Sequence, residues 1–253
     1  MIKNLILSDY WKVIGLDEID STNDYLRNHT NDLSDSKFTV ANADFQISGK
    51  GQTGNCWESS PQKNLLFSIL CRPIFLPANM QFYLSQIISL SIKETLDPFT
   101  KNISIKWPND IYWKEKKICG ILIENDLLGK NISQCILGAG VNINQETFIS
   151  DAPNPVSLKQ ITKKEESIGL ILNKILNRFE IYYRNLQEGS TENIRKQYNC
   201  ALFRKNGIFP YQDKNGIFYA EIVRVEPSGI LVLKDKSGKI RNYAFKEVNF
   251  ILK

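Results

Sequence analysis

Histidine is almost absent from this chain of 253 residues, where His29 is the only one. A Ser/His/Asp triad needs an imidazole, and multi-histidine metal sites need several, so the chemistry has to rest on other side chains. Cysteine is sparse and scattered. The five (Cys56, Cys71, Cys119, Cys135, Cys200) are odd in number and never closer than fifteen residues, which suggests neither a disulfide framework nor a CxxC zinc site. Long apolar runs are missing as well. Leu65 to Cys71 is among the longest, far short of the ~20 residues of a membrane helix. The short apolar start of the chain meets Asp9 and charged sequence where a signal peptide would place its cleavage region. The expectation is a cytoplasmic protein with reduced thiols and no membrane partner.

What is present is ordinary for a globular chain. Hydrophobic residues at 42% and charged residues at 23% exclude disorder, collagen and coiled coil as whole-chain readings. The length suits one large domain or a large one plus a small one. Charge is uneven. Residues 191 to 253 hold twelve Lys/Arg against six Asp/Glu, while residues 1 to 190 are nearly balanced. A basic end can face an acidic partner or nucleic acid, but these charges stand singly among apolar residues, as on a solvated surface.

The pattern changes near residue 205. Before it, strand-like and helix-like segments alternate. Ser21 with Asp24 three residues on reads as a capping box, opening a short helix. Phe38 to Phe45 and Leu65 to Cys71 read as strands, and Phe82 to Leu96 repeats at helical spacing. Ile103–Trp107, Ile111–Trp113, Ile118–Glu124 and Ile132–Asn144 form a run of strands, with Lys114 to Lys117 as a hairpin tip. Ile168, Ile171, Leu172, Ile175, Leu176 and Phe179 make one face of a long helix, and Thr191 to Asn199 a further helix. After residue 205, short strands are punctuated by Asn215-Gly216, Ser228-Gly229 and Ser237-Gly238, the rhythm of a small β-barrel. The expected fold is α+β, a mixed or mainly antiparallel sheet flanked by helices over residues 1–204, followed by a barrel over 205–253.

Four stretches carry polar chemistry. Gly49, Gly51 and Gly54 match G-x-G-x-x-G, but Asn55 to Pro61 cannot form the helix that would hold a pyrophosphate. The loop can still turn backbone N–H groups toward an anion, and a plain surface loop satisfies the same pattern. Lys106-Trp107-Pro108-Asn109-Asp110 suits a turn, or a stacking surface with a phosphate contact. Gly138-Ala139-Gly140-Val141-Asn142-Ile143-Asn144 suits close approach of a ligand to a strand, or a β-bulge. Lys117 stands at the mouth of an apolar strand, where it can reach a cleft or simply decorate a hairpin.

In this order the motifs resemble the biotin protein ligase family, from about residue 13 to the end. The carriers are Asp20-Ser21-Thr22-Asn23, Gln46 before the glycine loop with Trp57, the Lys-Trp-Pro-Asn-Asp run, Lys117-x-x-Gly120-Ile121-Leu122, and Gly138 to Asn144. The resemblance implies a class II synthetase-like catalytic fold with an SH3-like C-terminal barrel. It also implies an ATP-dependent ligase that makes biotinyl-5'-AMP and passes biotin to a lysine of a carboxyl carrier domain, acting as monomer or homodimer. By that resemblance Ser21, Thr22, Asn23, Gln46, Gly49, Lys50, Gly51, Gln52, Lys117, Gly120 and Gly138 would meet biotin. Trp57, Lys106, Asn109, Asp110, Asn142 and Asn144 would serve ATP, Asp110 would hold Mg²⁺, and Lys117, Lys50 and Asp110 would be catalytic. Many family members carry arginine where this chain has Gln52, so the loop here is less basic. Only about a dozen residues precede the first family-like strand, so no DNA-reading module and no DNA partner are expected.

The implied chemistry needs positive charge between two anions, since the biotin carboxylate attacks the α-phosphorus of ATP. Aminolysis of the adenylate then expels AMP without a histidine. The glycine loop would close over the water-sensitive adenylate. Two rivals remain: a lipoate or octanoate ligase on the same scaffold, and a non-catalytic nucleic-acid-binding protein using the basic C-terminal part.

Overall fold

A computed structural model of the chain describes residues 5–33, 36–51, 56–149 and 154–252. The first unit runs β1 (Trp11–Ile19), α1 (Thr22–Asn28), β2 (Phe38–Gln46), β3 (Leu65–Cys71), α2 (Phe82–Leu96), β4 (Ile103–Lys106), β5 (Asp110–Trp113), β6 (Lys116–Leu128), β7 (Asn131–Val141), α3 (Leu158–Thr162), α4 (Ile168–Gln187) and α5 (Thr191–Cys200). Its strands form one seven-stranded sheet in the order β1-β2-β3-β7-β6-β5-β4. Only β1 and β2 run parallel, and the other neighbours are antiparallel. The sheet is therefore mixed, and the α+β expectation holds for this part.

One face of the sheet is covered by α2 and α4, whose apolar stripes bury Leu84, Ile87, Ile88, Ile171, Ile175 and Phe179. Along β3, Leu65, Phe67, Ile69 and Cys71 join that core. The intervening Ser68 instead meets Thr22 and Asn23 of α1 on the opposite face. Period-two alternation thus gives β3 a helix side and a site side. β6 divides likewise: Cys119 and Ile121 belong to the helix-side core, while Gly120 faces the Trp57 ring.

Two local expectations change. Ser21 is the N-cap of α1, yet its side chain makes no cap bond; Asp24, the other half of the expected box, pairs with Lys50 at 2.6 Å instead. The complete capping box lies at α3, between Ser157 and Gln160. The tip of the β5–β6 hairpin is only Lys114-Glu115, because Lys116 and Lys117 already pair with Trp113 and Tyr112. Lys117 is a strand residue, with the rigidity that this confers.

The C-terminal strands β8 (Phe209–Asp213), β9 (Gly216–Val225), β10 (Leu231–Asp235), β11 (Ile240–Tyr243) and β12 (Asn249–Phe250) correct the expected SH3-like barrel. They form an open sheet, order β11-β10-β9-β8-β12, and among the described residues no ladder joins β11 to β12. The physical reason is length. β12 contributes two residues, both paired to β8, and β11 four, all paired to β10, whereas closing a barrel requires edge strands long enough to tilt and pair on both sides. Turn pairs reveal strand number but not closure.

This sheet docks on the first unit through specific contacts. Trp107 Nε1 donates to Gly229 O at 2.9 Å, and its ring meets the Phe245 edge. Asn199 receives the Val225 N–H at 2.7 Å, and Lys205 Nζ reaches the Ile222 and Val223 carbonyls. Among the described residues no helix is long and apolar enough to cross a membrane.

Candidate active site

A pocket opens on the sheet face opposite α2 and α4, between α1, the glycine loop and the glycine-bearing stretches of β6 and β7. Its floor is nearly free of side chains. Gly120 pairs with Gly140, and Leu122 with Gly138, so the period-two pattern puts three glycines side by side on one face. A Cβ at Gly120 would lie 2.7 Å from the Trp57 ring, and one at Gly140 would strike the Trp57 indole nitrogen. The β6–β7 ladder is regular here, its one register shift falling at Asp126/Leu127. Close approach of a ligand to the backbone therefore explains the glycines, and a β-bulge does not.

Trp57 occupies this floor. Its backbone N–H is tied to Gly49 O at 2.8 Å across the base of the glycine loop, and its indole N–H is buried without a partner. With the ring in place the free volume is only about 50 Å³. Small-molecule pockets run from about 300 Å³, so a ligand has to displace the indole.

One wall is polar. Thr22 sends its backbone N–H to Gln46 Oε1 at 2.8 Å, its hydroxyl lies 3.0 Å from the same oxygen, and Ser68 Oγ sits 2.7 Å below. Asn23 bridges Ser68 and Glu124. Thr22, Asn23 and Ser68 are all buried. The opposite wall is charged: Lys117 Nζ is 2.9 Å from Asp110 Oδ1 and stands over the Trp57 ring at 5.7 Å. Lys106 lies behind it, its ammonium over Tyr112 and Phe250. Burial pushes the Lys106 pKa below its ordinary value, Asp110 opposes this, and nearby Lys117 and Arg204 reinforce it. Arg204 is paired with Glu115 at 2.8 Å, so three cations stand against two carboxylates and this end of the sheet keeps a single excess positive charge.

The structure brings together at this pocket Ser21, Thr22, Asn23, Gln46, Lys50, Gly51, Trp57, Asp110, Lys117, Gly120 and Gly138. Lys50 is engaged with Asp24 at its edge. Gly49 closes the loop base, and Gln52 lies outside the described residues, as do Thr53, Gly54 and Asn55. Four expected nucleotide residues lie elsewhere. Lys106 faces the C-terminal sheet. Asn109 donates to Ile121 O, with its own Oδ1 unpartnered beside a cavity of about 410 Å³ between the two sheets. Asn142 donates to Val156 O, and Asn144 ties down Glu166. The Trp107 ring is buried against the C-terminal sheet rather than offered for stacking.

Sequence reasoning missed Ser68 and Glu124, which stand behind the polar wall, and placed Gly140 in a ligand-approach stretch without assigning it to the biotin contacts. Ser68 had a signal: it is the single hydroxyl residue in the apolar run Leu65 to Cys71. Gly140 had one too, sharing the face of Gly138 two residues away. Glu124 had none, since a carboxylate near a strand end is an ordinary surface residue.

Residues 15–142 match the Biotin/lipoate A/B protein ligase family. The chain is 35% identical over 206 residues to the bifunctional ligase/repressor BirA of Escherichia coli, covering 80% of this chain and 58% of that protein. The corresponding Bacillus spizizenii protein is 25% identical over 212 residues, covering 81% and 64%. The chain thus spans roughly three fifths of the length of these relatives. Among solved structures, the Aquifex aeolicus biotin protein ligase in complex with biotin and ATP superposes with a TM-score of 0.78 at 27% identity, covering 96% of this chain and 99% of that one.

Proposed function

The chain belongs to the biotin/lipoate A/B protein ligase family, and from that membership and the pocket we propose that it activates biotin with ATP and transfers it to a lysine of a carboxyl carrier domain. The observation that carries this reading is the polar wall of Thr22, Asn23, Gln46 and Ser68 facing a glycine floor, with the Lys117 ammonium at the far end. A ureido ring presents N–H and C=O groups to such a wall. The dithiolane or alkyl end of lipoate or octanoate does not, and would gain no hydrogen bond from the wall, a difference of about 0.5–1.5 kcal/mol for each bond. The Aquifex ligase, similar over nearly its whole length, is seen with biotin and ATP.

In this reading Thr22, Asn23 and Gln46 orient the ring, and the side chain of biotin runs over Gly120 and Gly140 once Trp57 has moved. Lys117 then stands where carboxylate and α-phosphate meet. At about 4 Å and an effective dielectric near 20, one ammonium is worth about 4 kcal/mol per unit charge, and it favours the transition state, which gathers negative charge at one place. Asp110 holds the Lys117 ammonium in position.

Mg²⁺ usually binds through one or two carboxylates plus substrate phosphates. Among the described residues no cluster of three metal-binding side chains exists, but Asp110 supplies the one carboxylate that a nucleotide-borne ion needs. When bound, Mg²⁺ would draw charge onto the departing pyrophosphate. We assign residues 1–204 to this chemistry and 205–253 to support of the site, the excess of cations in the C-terminal part suiting an acidic carrier domain. We place the protein in the cytoplasm, where carboxylases take up biotin and where its five free thiols stay reduced.

The test is exchange of labelled pyrophosphate into ATP by purified protein, with biotin, lipoate or octanoate. Exchange that depends on biotin alone is expected, together with a change in Trp57 fluorescence that a Trp57→Phe variant lacks. Exchange driven by lipoate but not by biotin would overturn the proposal in favour of the sister activity.

A further inference from the structure

The C-terminal sheet leaves two strand edges open onto one space. β11 pairs only with β10, and β12 only with β8. The space between them, about 770 Å³, is lined by the whole of β11, by Asn249 of β12 and by the end of β8. An edge strand carries unpaired N–H and C=O groups along its outer side, and proteins commonly blunt such an edge with proline or lysine on the strand itself. β11, with the sequence Ile-Arg-Asn-Tyr, has neither. Its one charge, on Arg241, is turned to Asp235 at 2.8 Å and Asp213 at 3.4 Å, and Ile240 is half exposed. The lysines stand around the gap instead. Lys214 lies in the β8–β9 turn, Lys239 just before β11 and Lys246 between β11 and β12, all three exposed and all lining the space. Among the described residues the ion pairs of this sheet are made by Arg224, Lys234 and Arg241, which leaves these three lysines without a carboxylate. The two acids that line the same space are engaged, Asp213 by Arg241 and Tyr243 and Glu247 by the Ala244 N–H.

We infer that this gap docks the acceptor: an extended, acidic segment of the carrier domain adds to the outer edge of β11 as a further strand, and Lys214, Lys239 and Lys246 meet its carboxylates. The inference rests on the proposed function for the identity of the partner. A second copy of the chain does not suit the gap, because pairing β11 with another β11 would bring two sets of unpaired lysines together. The position suits transfer. Phe250 of β12 lies under the Lys106 ammonium at 5.4 Å, Lys106 pairs with Asp110 across β4 and β5, and Asp110 holds Lys117. A carrier held at this edge is therefore a neighbour of the cations around which the adenylate forms.

Adenylation needs only biotin and ATP, whereas transfer needs the carrier domain as well, so the two are measured separately. In the triple variant Lys214→Glu, Lys239→Glu, Lys246→Glu, biotin-dependent pyrophosphate exchange is expected to stay within about twofold of wild type, while KM for the carrier domain rises about tenfold or more at low salt. Added salt should bring the wild-type KM toward that of the variant. Hydrogen exchange on the wild-type protein reads the strand itself: saturating carrier domain, without ATP, should protect amides of residues 240–243. An unchanged KM in the triple variant, or β11 amides that exchange equally with and without carrier, overturns the inference. So does protection of β11 that grows with protein concentration when no carrier is present, which gives the gap to a second copy. The hydrogen-exchange arm uses no variant, so a triple variant that does not fold leaves the test standing. A wild-type protein without biotin-dependent pyrophosphate exchange removes the functional reading itself, and this is seen before any carrier is added.

Discussion

Lys117 and Gly138 show how much a single side chain decides in this pocket. The Lys117–Asp110 pair is partly exposed on both sides, at 28% and 21%, so its contribution to stability is at most about 1 kcal/mol. Its contribution to a transition state uniting two anions is larger, and loss of one such preorganised charge lowers turnover by about 10² to 10³. Lys117→Ala is therefore expected to melt close to wild type, bind biotin, and make adenylate at a hundredth of the rate or less. Single-turnover formation of biotinyl-AMP reads this, and a rate near wild type would remove Lys117 from the mechanism. At Gly138 the argument is steric. A Cβ there would lie 2.9 Å from Cγ and 3.2 Å from Nδ2 of Asn23. That amide cannot give way, because Ser68 and Glu124 hold it from both sides. Gly138→Ala is expected to lose about 1–3 kcal/mol of stability by overpacking, measured by denaturant titration, and to weaken biotin in parallel.

Among the elements, the β10–β11 turn carries the clearest dependence on pH. Asp235 accepts from the Ser237 hydroxyl and backbone, from the Lys239 backbone, and from Arg241. The Ser237 hydroxyl first, and then Arg241, hold its pKa down to about 2 against an ordinary value of 3.8. Because the folded carboxylate releases its proton more readily than the unfolded one, its stabilisation is complete above pH of about 4 and disappears as pH falls toward about 2. Amide protection factors in β10 and β11 should fall across that window, and Asp235→Asn should show the lower protection already at neutral pH. A turn of this kind is legible in sequence, since Asp235-Lys236-Ser237-Gly238 announces it. So are β3 and α2, whose apolar spacing matches their observed extents, and the start of α4, which runs beyond the expected face from Phe179 to Gln187. That the C-terminal sheet stays open was not legible, because closure depends on which strand edges meet, and neither β11 nor β12 carries that information. The Ser21 cap failed for a related reason: Asp24 found a stronger partner in Lys50, 26 residues away along the chain. Local patterns record what a segment can do, whereas the competing long-range partner is invisible until the chain is folded.

Across the whole molecule, the change of pattern at residue 205 marks a boundary of architecture but not of packing. Leu231, Leu233, Ile222 and Val225 of the C-terminal sheet belong to the same buried cluster as Leu84, Ile87 and Ile105. Trp107 is the joint. It is 5% exposed, it precedes the β5 residue Asp110 that holds Lys117, and it bonds Gly229 in the other sheet. Truncating a buried Trp to Ala costs about 3–5 kcal/mol, a large share of the ~5–15 kcal/mol that holds a typical domain folded. Removing only the N–H bond, as in Trp107→Phe, costs about 1 kcal/mol. With one shared core, Trp107→Ala is expected to lower the stability of both sheets together, giving a single transition in which far-UV circular dichroism and the fluorescence of the remaining tryptophans coincide. Adenylation should fall further than in Trp107→Phe, because the β4–β5 connection that sets Asp110 loses its anchor. Two separated transitions, with the first sheet melting as in the wild type, would show instead that residues 205–253 are an appendage and that the site stands without them.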